Sequence, residues 1–167
     1  MHRVAILAAA LLAGNAFADD SNVRTGLSGF EEVPVVATSA SGRFEAKIAR
    51  DHQSITYTLT YGGLQGQVRQ SHIHVAQKSV NGGIVVWLCG TTNNPGPTGT
   101  QTCPQSGTIS GTIVAADVQA VATQQVAAGD LQEIIDALRA GIAYVNVHTD
   151  LSPGGEIRGQ VDHLLFR

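Results

Sequence analysis

Two stretches near the C-terminus alternate apolar and polar positions with a period of two. Ala143, Val145 and Val147 fall on one side of an extended chain, and Tyr144, Asn146 and His148 on the other. Ser152, Pro153, Gly154 and Gly155 then make a turn-forming run. Beyond it Ile157 and Val161 share one side, and Glu156, Arg158 and Gln160 the other. The pattern predicts a hairpin with one apolar face and one face carrying His, Glu and Arg. A solvated face would more usually hold Thr, Ser and Lys, so this polar face is a candidate for chemistry. Upstream, His72 and His74 stand two apart in a strand-like run and therefore share a side. The expectation is that His72, His74 and His148 converge.

The same period marks most of the remaining chain. Residues 23–30 open a series of short strands, and residues 31–37 contain Pro34, which fits an edge strand or a loop. Phe44, Ala46 and Ile48 alternate with polar neighbours in residues 42–49, as do Ile55, Tyr57 and Leu59 in residues 54–61. Residues 68–76 hold the two histidines. Residues 84–89 are densely apolar and place Trp87 in the core. Residues 107–114 supply a further strand.

A period near 3.6 occurs over one segment. Leu131, Ile134, Ile135 and Leu138 form an apolar stripe, Asp130 and Glu133 have capping-box spacing, and Gly141 is a stop signal. Residues 117–126 read as a loop with one helical turn. The chain shows neither an internal repeat nor an internal domain boundary.

The first residues follow another logic. Arg3 precedes an apolar run over residues 4–12, and Ala16, Phe17 and Ala18 form a small-x-small cleavage site. Residues 1–18 are expected to be a signal peptide, with an uncleaved anchor as the alternative. The run is too short to span a bilayer, and no later run is long and apolar enough. That leaves one domain over residues 19–167, periplasmic or secreted. Export bears on Cys89 and Cys103, an even count that in an oxidising compartment suggests a disulfide closing a loop rich in Gly, Pro, Thr and Asn. A pair of metal-binding thiolates is the alternative. Without Arg3 the ten Lys and Arg become nine, against thirteen Asp and Glu, a net charge of −4. With no basic run, nucleic acid and anionic membrane surfaces are excluded as partners.

Several blocks together resemble a known family. These are Glu31 to Pro34 with Ser39 to Gly42, the His72–His74 pair, the helical stripe, Tyr144 to Thr149, and Gly155 to Val161. The likeness is to the CHRD domain, named from the repeats of chordin and common in exported bacterial proteins, and it spans about residues 24–163. It implies an extracytoplasmic β-sandwich and less about activity, since no single biochemical function is agreed for the family. Val75 to Lys78 and the loop over residues 90–102 depart from its usual Gly-rich pattern. The expected fold is all-β: an antiparallel two-sheet sandwich, Ig-like or superoxide-dismutase-like Greek key, with one short α-helix before the C-terminal hairpin.

Two histidines on one strand face and a third from a neighbouring strand make a three-nitrogen set that suits copper or zinc. The motif is also similar, at the level of fold, to copper–zinc superoxide dismutases, although a dinuclear set of histidines is missing. His52 and His163 are not natural partners. Glu156 or Asp150 would serve as a fourth ligand or would orient an imidazole. In the bland reading the three rings hydrogen-bond to Asn146, Thr149 and Glu156 and stitch two strands together. Arg158 would steer an anion or, the favoured role, pair with Glu156 or Asp150. Tyr144 and Asn146 fit sheet-face packing and hydrogen bonding, and Glu31 and Glu32 are expected to be solvated. Ser71 next to His72 points to the opposite face, so no nucleophile–base pair forms, and no P-loop, GxSxG or GxGxxG occurs. The favoured function is an exported, non-enzymatic binding module that takes a transition metal or another extracytoplasmic protein. The alternative is a mononuclear copper or zinc enzyme of the cell envelope, redox and superoxide-dismutase-like.

Overall fold

The computed structural model describes residues 21–161, so the expected signal peptide and His163 lie outside the described residues. Eight strands and one α-helix follow in order: β1 (Asn22–Ser28), β2 (Ser41–Ile48), β3 (Ile55–Gly62), β4 (Val68–Val75), β5 (Ile84–Cys89), β6 (Gly107–Ile113), α1 (Leu131–Arg139), β7 (Ala143–Thr149) and β8 (Ile157–Gln160). The alternation read from the sequence is what places these strands. In β2 and β3, Phe44, Ile48, Ile55 and Leu59 are buried while the Thr and charged neighbours face water. Residues 31–37 form a loop with a cis Val33–Pro34 bond. Residues 115–126 contain two short 3-10 turns, Ala115–Asp117 and Ala122–Gln124.

The structure is all-β and antiparallel with one helix ahead of the last hairpin, as expected. The expected division into two sheets does not appear in the hydrogen bonding. One sheet runs β5-β4-β7-β8-β1-β2-β3-β6 and curls into a nearly closed barrel. Two four-stranded halves meet at β8 and β1, where Ser28 opposite Arg158 carries the register. A Cβ on Gly159 would lie 2.3 Å from the Gly26 carbonyl oxygen, so this approach requires a glycine. A period of two tells which side chains are buried, but not where a sheet bends. At the open seam, the Tyr57 hydroxyl donates to the Leu88 carbonyl at 3.1 Å, and the Gln119 amide caps the edge of β5 at the Val85 carbonyl at 2.8 Å.

The core lies inside the curl. Ile73, Val145, Val147 and Ile157 meet Phe44 and Leu59, and α1 adds Leu131, Ile134, Ile135 and Leu138. Asp130 accepts the Glu133 amide at 3.2 Å, and Gly141, at φ +70°, ends the helical segment. Cys89 and Cys103 are disulfide-bonded. Their loop is also held by hydrogen bonds between Gly90 and Gln101, Cys103 and Gly90, and Thr91 and Arg69. Among the described residues no helix is long and apolar enough to cross a membrane.

One consequence of the topology positions the site. β4 and β7 are interior strands, and from Ser71 to His74, along all of β7 and along β8, both faces are buried. The apolar face meets the core. The polar face is roofed by two loops, residues 29–38 and 76–83, which are tied together where Asn81 donates to the Val33 carbonyl at 2.9 Å.

Candidate metal centre

Register brings the polar residues together. His72 lies opposite Asn146, His74 opposite Tyr144 and Gln70 opposite His148. On the far side of β7, Arg158 lies opposite Asn146 and Gln160 opposite Tyr144. Directly opposed residues share a face of an antiparallel pair. His72, His74, Tyr144, Asn146, His148, Arg158 and Gln160 therefore form one layer under the roof.

The three imidazoles meet. Their ring centroids are 4.9 Å apart for His72 and His148, 5.5 Å for His72 and His74, and 6.3 Å for His74 and His148. One ligand nitrogen from each lies within 4.8 Å of the others, and the cluster consists of these three histidines. Their exposures are 0%, 5% and 6% for His72, His74 and His148. Burial lowers all three pKa values. His72 falls to about 2, with the charges of His148 and His74 adding to burial. His74 falls to about 4, although its bond to the Gly82 carbonyl works the other way. His148 is also lowered by burial, against its bond to the Pro153 carbonyl. All three rings are thus neutral at physiological pH and keep a lone pair each.

Their hydrogen bonds say where those lone pairs point. His74 lies between two oxygens, with Nδ1 3.0 Å from the Gly82 carbonyl and Nε2 3.1 Å from Asn146 Oδ1. His148 lies between two as well, with Nδ1 2.9 Å from the Pro153 carbonyl and Nε2 2.9 Å from Asn146 Oδ1. A neutral imidazole has one N–H, so it cannot donate to both. The backbone carbonyls have no alternative but to accept, whereas the Asn146 amide can turn its NH₂ toward both rings. Each Nδ1 therefore carries the proton, and each Nε2 directs its lone pair inward. His72 joins from the other side, with Nδ1 3.2 Å from His148 Nε2. Its Nε2 is buried and has no hydrogen-bond partner among the described residues; the edge-to-face ring of Trp87 is 4.3 Å away, centroid to centroid. Two nitrogens bound tetrahedrally to one ion at 2.0–2.1 Å lie roughly 3.3 Å apart. The His72–His148 spacing suits a shared cation.

The other sequence candidates fall in different places. Asn146 is central, between two of the rings. Glu156 is buried, but its oxygens accept from the Gln65 and Gly66 amides and the Thr38 and Thr149 hydroxyls, at 2.7 to 3.3 Å. Burial pushes its pKa up, and these donors, led by the Gln65 amide, outweigh burial and leave it low. Asp150 is exposed; it accepts the Gln67 amide at 2.7 Å and faces Arg69 at 3.9 Å. Arg158 pairs with neither acid. Its guanidinium lies 3.4 Å from the centroid of Tyr144 and donates to Asn81 Oδ1 at 3.1 Å and to the Val80 carbonyl at 2.9 Å. Tyr144 in turn stacks parallel on His74, with centroids 4.5 Å apart. Since β7 lies between β4 and β8, Tyr144 is sandwiched between an imidazole and a guanidinium. The hydroxyl of Thr149 goes to Glu156 rather than to a ring. His52 meets Arg139 at 3.1 Å.

Two further expectations are overturned. Trp87 does not belong to the core: it is half-buried on the outer face, because irregular register around His72 and His74 turns β5 there. Glu31 does reach the surface and pairs with Lys78 at 3.3 Å, but Glu32 is not solvated. Glu32 is 4% exposed, and its Oε1 has no hydrogen-bond partner among the described residues. Burial raises its pKa to about 7, against the charge of Arg158 and the Val33 amide. A Cβ on Gly155, at φ +126°, would lie within 2.1 Å of that Oε1. The glycine that makes the β7–β8 turn is therefore also what admits the carboxyl. The Gly154–Gly155 pair was the one available signal, and it does not say which residue approaches.

Residues 23–161 match the family described as CHRD domain. No curated protein matches the chain, and no solved structure matches it.

Proposed function

The chain belongs to the CHRD domain family, and on that premise we propose that it is an exported binding module holding one transition-metal ion, copper or zinc, on His72, His74 and His148. The observation that carries this reading is the direction of the lone pairs. Three neutral imidazoles, two of them with Nδ1 committed to backbone carbonyls, turn their remaining nitrogens into one buried space. Without a cation, the Nε2 lone pairs of His74 and His148 share one amide and the His72 Nδ1 proton. A metal ion in place of that proton accepts one lone pair from each ring.

Export fits the same picture. The leader motif in residues 1–18, the Cys89–Cys103 disulfide and the family all suit the periplasm or the exterior, with residues 19–167 as one domain. The rings are covered on every side by strand and loop, which favours holding an ion over turning over a substrate. A second extracytoplasmic protein, as donor or acceptor of the metal, is the partner this reading implies.

The test is metal analysis of protein purified without a histidine tag, repeated on His72→Ala and His148→Ala. One equivalent of copper or zinc is expected in the parent, and loss in both variants. A parent that never retains either ion under dilute metal ends the proposal.

A further inference from the structure

We infer that the ion selected by this site is monovalent copper, Cu(I), rather than a divalent ion; the inference rests on the three-histidine reading above. Two independent features of the layer carry it.

The first is charge. The three donors are neutral, and neither Glu156 nor Asp150 is free to join them. A positive charge is stacked onto the cluster: Arg158, 1% exposed, lies one ring beyond His74 across Tyr144. From those two stacking distances the guanidinium is on the order of 8 Å from the imidazole. At an effective dielectric constant of about 20, such a charge weakens binding of a monocation roughly thirty-fold, and of a dication by about the square of that. The carboxyl that lies near Arg158, Glu32, at best cancels the guanidinium, and no acid remains to balance the metal. The cost of burying an ion also grows with the square of its charge. Arg158 and the cost of burial each penalise a second positive charge more than the first.

The second feature is the number of donors. Zinc in closed protein sites takes four ligands, drawn from thiolate, imidazole and carboxylate. Here the fourth group within reach is the neutral side-chain amide of Asn146, 2.9 and 3.1 Å from two of the rings, with its NH₂ turned toward them. Cu(I), like Zn(II), has a filled d shell, but its single charge is satisfied by fewer neutral donors, so three imidazoles complete it. The cover of loops and Trp87 excludes the water that Cu(II) or Zn(II) would recruit.

The experiment is ligand competition on the tag-free full chain at pH 8. Cu(I) is measured under anaerobic conditions against a chromophoric Cu(I) chelator, and Cu(II) and Zn(II) against their own chelators. Cu(I) is expected to bind at least a hundred-fold more tightly than either divalent ion. Arg158→Gln should narrow the Cu(I)/Zn(II) ratio roughly thirty-fold, since one unit of repulsion is removed from the dication beyond that removed from the monocation. Arg158→Lys, which keeps the charge, should leave the ratio near the parent's. If Arg158→Gln does not fold, Glu32→Gln decides: it removes a compensating charge and should widen the ratio. Tight Cu(II) or Zn(II) with weaker Cu(I), or a ratio unmoved by these variants, overturns the monovalent inference and leaves the three-histidine site standing. Failure to bind any of the three ions removes both.

Discussion

Glu32 shows how strongly one side chain's meaning depends on what roofs it. In sequence it is one of two adjacent acids beside a proline; in the fold it is enclosed between the Gly155 turn and the Arg158–Tyr144 stack. Its carboxyl has a folded-state pKa near 7 against an ordinary 4.5. Because that value is raised, the folded state holds the proton more firmly than the unfolded chain does. The resulting stability is complete below about pH 4.5 and is lost as the pH rises through 7. Glu156 acts in the opposite sense. Its pKa is depressed, so its contribution is present above the ordinary carboxylate range and is lost on acidification. Between pH 5.5 and 8.5 the lowered pKa values of His72, His74 and His148 add stability as the pH rises through their ordinary 6.5, in both proteins, so Glu32 is read from the difference between them. The melting temperature of the parent relative to that of Glu32→Gln is expected to fall across that interval. Parallel profiles for the two proteins would mean that Glu32 is ionised and solvated after all.

At the level of elements, the strands and the helix were legible because each is specified by its own residues. Period two put His72 and His74 on one side and split Tyr144, Asn146 and His148 from Val145 and Val147; Asp130 and Gly141 bounded the helix. What required the whole chain was not legible. The bend at Gly159 that merges the halves depends on β1 lying 130 residues upstream in sequence, and the outward turn of Trp87 depends on register shifts where β5 pairs with β4. The partners of Arg158 come from the 76–83 loop, which no spacing rule links to β8. The cystine loop is a case where sequence and structure agree on the bond but not on the need for it. The Gly-, Pro-, Thr- and Asn-rich residues 90–102 offer no apolar anchor, yet Gly90 pairs with Gln101 and Cys103, and Gln101 donates to the Tyr57 hydroxyl at 2.7 Å. The bond's main effect is then on the unfolded chain, where a ring of this size is worth about 3 kcal/mol. Reduction, or Cys103→Ser, is expected to lower the melting temperature while leaving metal content unchanged. Two reactive thiols in the native, unreduced protein would contradict the disulfide.

Over the whole molecule, stability and chemistry occupy different halves of one sheet. β1, β2, β3 and β6 form a regular, half-exposed unit with an apolar inner face. β4, β7 and β8 carry the buried polar layer, whose cover is two loops rather than another sheet. Those loops are pinned at few points, and Asn81 serves three of them: it donates to Val33, accepts from Arg158, and precedes Gly82, whose carbonyl fixes the tautomer of His74. Elements held by few buried contacts open locally at lower cost than the fold unfolds globally. Asn81→Ala should therefore speed amide exchange in residues 29–38 and 76–83, including the Gly82 amide that meets the Tyr144 hydroxyl at 3.3 Å. Exchange in β2, β3 and β6 should stay at the parent's rate. Bound metal should act in the reverse direction on the same two loops, since an ion that binds only the closed arrangement stabilises it by mass action, about 2.7 kcal/mol at a hundred times its Kd. Hydrogen exchange read by mass spectrometry resolves both effects by segment. A uniform acceleration across all strands in Asn81→Ala would show that the roof and the barrel open as one unit, and the separation of the two halves would then fail.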